Sequence, residues 1–79
     1  MSPPAGRPAS SEFGRRVRER RHTLGWSQIR LAEVAGLHFT YVSSVERGER
    51  NISLQNILRL AAALEIDAGE LVAHLLPDN

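Results

Sequence analysis

The sequence predicts an all-α protein of five short helices in one small domain. Three observations predict it. Apolar residues recur at helical spacings of three and four, and no segment alternates as a strand would. Gly25, Gly36 and Gly48 break that pattern at nearly even intervals, where successive helices must end. Ser27, Ser53 and Asp67 stand just ahead of apolar runs, where a helix needs an acceptor for its free amides.

Each element can be justified in turn. Residues 1–10 are rich in Pro, Ser, Ala and Gly and are expected to form a disordered tail. The folded domain is expected over residues 11–76, with 77–79 a second tail. Ser10 or Ser11 is expected to cap the first helix, with Glu12 near its positive end. Phe13, Val17 and Leu24, with Gly14 and the stem of Arg21, fall on one face, and Gly25 closes the helix. Ser27 caps a second helix whose apolar positions are Ile29, Leu31, Ala32 and Val34. It ends at Ala35-Gly36, with Leu37 at the corner. The third helix is expected from about 38 to 47, with Val42 and Val45 pointing inward. Gly48 stops it. Ser53 caps a fourth helix with a stripe of Leu54, Ile57, Leu58, Ala61 and Leu64. Asp67 caps a fifth, from 68 to about 75, stopped by Pro77.

Size and composition narrow the function. In 79 residues one small domain is expected, with no separate catalytic or ligand-sensing module and no small-molecule effector. Cysteine is absent, so disulfides and Cys-type metal sites cannot staple so small a core. Self-association is the remaining natural staple. No apolar run reaches membrane-spanning length, and the first residues lack the apolar core of a signal peptide. The expected location is cytoplasmic. Net charge is only +1, but its distribution is uneven. Residues 1–26 carry six Arg against Glu12 and Glu19, a net +4. Residues 27–50 are neutral, and residues 51–79 carry Arg59 against Glu65, Asp67, Glu70 and Asp78, a net −3. The basic end is either a DNA-facing patch or a solvated charged helix.

Catalysis finds no support. His22, His38 and His74 are far apart and lack ligand spacing, so no metal or other cofactor is expected. No nucleophile–base–orienter set and no glycine-rich phosphate loop is visible. What remains is the stretch from Trp26 to Gly48. It reads as a helix, a tight glycine turn and a second helix. That layout is a helix-turn-helix, whose second helix can enter the DNA major groove.

The sequence closely resembles the Cro and phage-repressor type of helix-turn-helix domain, the xenobiotic-response-element family. The matching residues are Phe13, Val17-Arg18, Arg21, Leu24-Gly25-Trp26-Ser27-Gln28, Leu31-Ala32, Gly36-Leu37, Val42 and Val45-Glu46-Arg47-Gly48. They continue through Asn51-Ile52-Ser53-Leu54, Leu60-Ala61 and Leu64, so the resemblance covers about residues 12–76. It implies a five-helix, lambda-repressor-like domain with the helix-turn-helix at its second and third helices. Within the family, Gly-Leu-His-x-Thr-Tyr-Val with Glu-Arg-Gly-x-Arg-Asn-Ile looks like the controller proteins of restriction–modification systems. Stand-alone repressors and antitoxin domains share much of the same pattern.

The resemblance implies site residues. Gln28, at the start of the second helix, would touch the DNA backbone where free amides favour phosphate. Read alone, it is also an ordinary polar first-turn residue. His38, Phe39, Thr40 and Ser44 match base-edge positions, and Ser43 shares the expected outer face of the third helix. Thr40 and Phe39 can each pack on a thymine methyl. His38 reads equally as an N-cap. Phe39 departs from related controllers, which often carry a polar or basic residue there, and a dimer or core contact is its other reading. Arg47, Arg50 and Asn51 flank the glycine after the third helix and suit phosphate contact, with Arg50 favoured for readout. Arg21 and Glu46 match a pair that bridges the first and third helices, expected as a partly buried ion pair.

The same resemblance implies a homodimer on a near-palindromic double-stranded operator. Leu64, Ile66, Leu71, Val72, Leu75 and Leu76 are the expected interface, unless they close the monomer core instead. The reading is a sequence-specific transcription regulator, autoregulatory through its own promoter. The rival is a protein–protein module such as an antitoxin. A pure scaffold has no reason to keep Gln28, Thr40, Arg47 and Arg50 together.

Overall fold

The computed structural model describes residues 8–77. The expected disorder of residues 1–7 and the last two residues lie outside that range. Among the described residues there are five helices and no strand: α1 Ala9–Thr23, α2 Gln28–Ala35, α3 Phe39–Glu46, α4 Leu54–Leu64 and α5 Ala68–Val72.

The first helix starts earlier than expected. Pro8, not Ser10 or Ser11, is the N-cap residue, and no side chain caps it. The proline ring presets φ at −62°, and the Glu12 amide closes the first turn on the Pro8 carbonyl at 3.0 Å. Both serines therefore lie inside the helix, and the expected boundary at residue 11 moves to residue 9. Ser27, Ser53 and Asp67 do accept from the amides of Arg30, Asn56 and Gly69, capping α2, α4 and α5.

The ends of α2 and α4 share one geometry. At the end of α2, Gly36 has φ +69°, and the amides of Gly36 and Leu37 bond back to Glu33 and Ala32. Only glycine enters that backbone region without strain, which is why the turn into α3 can be so short. At the end of α4 the same two bonds form with Glu65 in the left-handed position, at φ +59°. Arg20 reaches across from α1 and donates to the Leu64 carbonyl at 2.8 Å, satisfying this end.

The core gathers Phe13 and Val17 from α1, Leu31, Ala32 and Ala35 from α2, and Val42 and Val45 from α3. Leu60, Ala61, Ala63 and Leu64 of α4 and Leu71 of α5 complete it. Two apolar stripes fall in a different phase from the expected one. Leu31, Ala32 and Ala35 set the buried face of α2, and Ile29 and Val34 lie roughly 100° to either side, exposed. In α4 the buried face centres on Leu60 and Leu64, leaving Leu54 and Leu58 in solvent. α5 ends at Val72 rather than about residue 75. Arg16 takes the Ala73 carbonyl at 2.8 Å, and His74 turns the chain at φ +65°, so Leu75 packs back on the core.

One glycine fixes how α3 is held. A Cβ on Gly14 would collide with the backbone carbonyls of Val45 and Glu46. α1 and α3 thus meet backbone to side-chain-free backbone, and the last turn of α3 is pinned to the bundle.

Candidate nucleic-acid interface

The inner side of α3 is bolted by a buried polar cluster. Arg21 of α1 makes a two-pronged ion pair with Glu46, through Nε at 2.7 Å and Nη2 at 2.8 Å. Its Nη1 donates to the Trp26 carbonyl at 2.8 Å. The Glu46 hydrogen bonds raise the Arg21 pKa above its ordinary value, against the opposing effect of burial. Gln28, the first residue of α2, donates from Nε2 to Glu46 Oε1 at 3.0 Å. One carboxylate therefore ties together α1, the start of α2 and the end of α3. A half-buried Gln28 is held with its amide nitrogen turned to the cluster.

The outer side of α3 begins at His38. Its ring is the N-cap: Nδ1 accepts from the Thr40 amide at 3.3 Å and lies 2.9 Å from Thr40 Oγ1. Phe39, Thr40 and Arg47 are exposed and Ser43 is half-buried. At 100° per residue these four cover one continuous arc of about 100°. Val42 and Val45 point the other way and are buried, and Glu46, next to Phe39 by phase, is buried beneath Arg21 and Gln28. Phe39 does not belong to the set packed against the core.

Ser44 differs from its expected outward placement. It is buried, with its hydroxyl donating to the Tyr41 carbonyl at 2.8 Å and accepting from Arg50 Nε at 2.9 Å. By helical phase Ser44 lies beside Thr40 at the edge of the arc; it is buried because the loop that leaves α3 folds over it and brings Arg50 onto its hydroxyl. Arg50 also lies over the Tyr41 ring, 5.4 Å from its centroid. The Tyr41 hydroxyl accepts in turn from Asn56 Nδ2 at 3.0 Å. Tyr41 and Asn56 were not singled out for function in the sequence. The signal available was Tyr41 itself, an aromatic six residues before Arg47 and nine before Arg50.

Arg47 is held differently. It forks onto the Glu49 carboxylate at 3.0 and 3.1 Å and also donates to Ser43 Oγ. The pairing raises Arg47 and lowers Glu49 from their ordinary pKa values. Asn51 is exposed.

The basic excess of the N-terminal third lies away from this arc. Arg15 and Arg16 close on buried Glu12, and Arg16 and Arg20 cap the ends of α5 and α4. Those guanidiniums, Arg15 foremost, hold Glu12 at a pKa of about 2 against burial. Among the described residues Arg18 is the α1 arginine without such a partner.

The expected dimer residues divide. Leu64 and Leu71 are 0% and 1% exposed, so both belong to the monomer core and not to a free surface. Ile66 and Leu75 are half-buried on that core, while Val72 and Leu76 are exposed. The difference arises because α5 is short and lies flat on α4. No group of residues that would hold a metal is found among the described residues, and no helix there is long and apolar enough to cross a membrane.

Comparison with known proteins places this geometry. The helix-turn-helix family model matches residues 17–71. The control protein C.SmaI of Serratia marcescens is 46% identical over 58 residues, 73% of this chain and 69% of that protein. The crystal structure of the restriction–modification controller protein C.AhdI from Aeromonas hydrophila superposes with a TM-score of 0.76 at 54% identity. That match covers 77% of this chain and 92% of the other. The P22 c2 repressor, solved with a synthetic operator, gives a TM-score of 0.73 at 31% identity, covering 78% and 94%. The fold is that of lambda-repressor-like domains.

Proposed function

The chain belongs to the helix-turn-helix family of DNA-binding transcription regulators, and we propose that it reads a two-fold symmetric operator as a homodimer. The observation that carries this reading is the arc of Phe39, Thr40, Ser43 and Arg47. It starts at a capped helix N-terminus and is backed by the buried cluster of Arg21, Glu46 and Gln28. The N-terminal residues of such a helix reach base edges in the major groove. Gln28, Arg47 and Asn51 set the register on phosphates, and Phe39, Thr40 and Arg50 face bases. Ser44 serves by holding Arg50. His38 serves first as the cap of α3. The buried ion pair keeps α3 at a fixed angle to the bundle.

The dimer forms through Val72 and Leu76, with Ile66 and Leu75 at the edge of the same surface. It places two copies of α3 roughly 34 Å apart, one helical turn of DNA. Its level is set by protein concentration, including control of its own promoter. A reporter fused to that promoter is expected to respond to the protein, and an indifferent reporter would remove autoregulation from the account.

Selection of bound duplexes from a random pool, at several salt concentrations, tests the reading. Enrichment of a two-fold symmetric motif at moderate salt is the expected result. Weak, steeply salt-dependent binding without a motif would reduce the interaction to backbone electrostatics.

A further inference from the structure

The arc of α3 is unusual in what it offers a base pair. Its polar groups are already engaged within the protein. Thr40 Oγ1 lies on the His38 ring, Ser43 Oγ accepts from Arg47, and Arg47 forks onto Glu49. The large unengaged surface is the ring of Phe39, 43% exposed in the first turn of the helix. It is not part of the buried core, and its neighbours on the arc, Thr40, Ser43 and Arg47, are small or polar.

The phenyl ring of Phe39 has no donor or acceptor in its plane with which to read the hydrogen-bond code of the major groove. The apolar feature of that groove is the C5-methyl of thymine. 5-Methylcytosine carries the same methyl at the same ring position, although its base pair presents the opposite hydrogen-bond pattern. A residue that reads by apolar contact alone therefore follows the methyl and ignores the base identity beneath it.

We propose that Phe39 is a specificity residue for a C5-methylated pyrimidine, taking thymine and 5-methylcytosine over uracil and cytosine. The inference rests on the operator reading above and deepens it. It makes operator affinity responsive to cytosine-C5 methylation at one position of each half-site. Burying one methyl is worth about fourfold in affinity per half-site, and about 15-fold when both half-sites carry it.

The test uses duplexes of the selected sequence, with each thymine replaced in turn by uracil. At the Phe39 position, cytosine and 5-methylcytosine are also compared, each opposite guanine. Wild-type protein is expected to lose about fourfold on thymine-to-uracil replacement in one half-site and about 15-fold on replacement in both. It is expected to regain a similar factor on changing cytosine to 5-methylcytosine there. Phe39→Ala should erase both differences, and Phe39→Leu should retain part of them. Thermal melting of both variants near the wild-type temperature would show that they fold, as an exposed residue predicts. Wild-type indifference to every such replacement overturns the inference, as does Phe39→Ala that still prefers the methyl. Equal loss on all duplexes together with weakened self-association would make Phe39 a protein contact and overturn it too. A pool that yields no motif overturns the operator reading itself, a result distinct from a motif indifferent to the methyl.

Discussion

Arg15, Arg16, Arg20 and Arg21 crowd one helix, whereas Arg47 and Arg50 flank one glycine after α3. The first group faces inward or along the bundle. It closes on Glu12 and Glu46 and caps the carbonyl ends of α4 and α5. The second group stands at the surface beside the recognition arc, one arginine held by Glu49 and the other by Ser44 and Tyr41. Density of charge along the chain thus points to α1, while the partners of each guanidinium point to the corner after α3. In so small a bundle, arginine serves as cement where buried carboxylates and open helix ends are within reach; after α3 the carboxylate within reach, Glu49, is itself exposed, and both guanidiniums stay at the surface.

The contrast breaks most sharply at the Arg21–Glu46 pair. Glu46→Ala leaves a guanidinium buried without its partner, at a cost of about 3–5 kcal/mol. In a domain of this size that lowers the melting temperature by tens of degrees or prevents folding at room temperature. Denaturant melts would read it, and a wild-type midpoint would show that the pair does not fasten α3.

A smaller effect is expected at Glu12. Its folded pKa of about 2 lies below its ordinary value of 4.5. Its stabilisation is therefore complete above about pH 4.5 and is lost as pH falls toward 2. With solvent screening of the partly exposed Arg15, the contribution of Glu12 is at most about 3 kcal/mol. Glu12→Gln should flatten this part of the stability–pH curve. An unchanged acid limb would place the dependence on other carboxylates.

The two arginine groups can also be separated by salt. Arg47→Gln should lower the slope of log affinity against log salt by about one, whereas Arg50→Gln should relax base preference at one position of each half-site. Arg16→Gln and Arg20→Gln should lower stability and leave that slope alone. A slope that falls with Arg16→Gln would return the DNA-facing patch to α1. The smallest expected effect is at the end of α4. Glu65→Gly relieves a left-handed backbone and should stabilise by about 1 kcal/mol, less what the longer-range glycine entropy takes back.

Much of the fold was legible because its punctuation is local. Ser27, Gly36, Ser53 and Asp67 each act within a turn of their own position, and each stands where a cap or turn was expected. Phase was less legible. α2 is eight residues long and apolar on several sides, so Ile29 and Val34 fit a core face as well as Leu31 and Ala35 until α4 is in place. Leu64 and Leu71 were read as interface because sequence gives hydrophobicity but not which neighbour covers it. The start of α1 was misplaced because a serine signal is strong and a proline preset is quiet. Motif residues at the site could be named from the resemblance. The support beneath them could not, since it depends on how the loop after α3 folds back to set Arg50 on Ser44 and Tyr41, and on α4 bringing Asn56 to Tyr41.

The most direct test of the central claim compares two proteins in one selection from a random duplex pool. One is the wild type and the other carries Phe39→Ala, Thr40→Ala and Arg50→Ala, all at exposed positions. The account predicts a two-fold symmetric motif for the wild type, and salt-dependent binding without that motif for the triple variant. The same motif from both would show that the sequence is read elsewhere on the molecule.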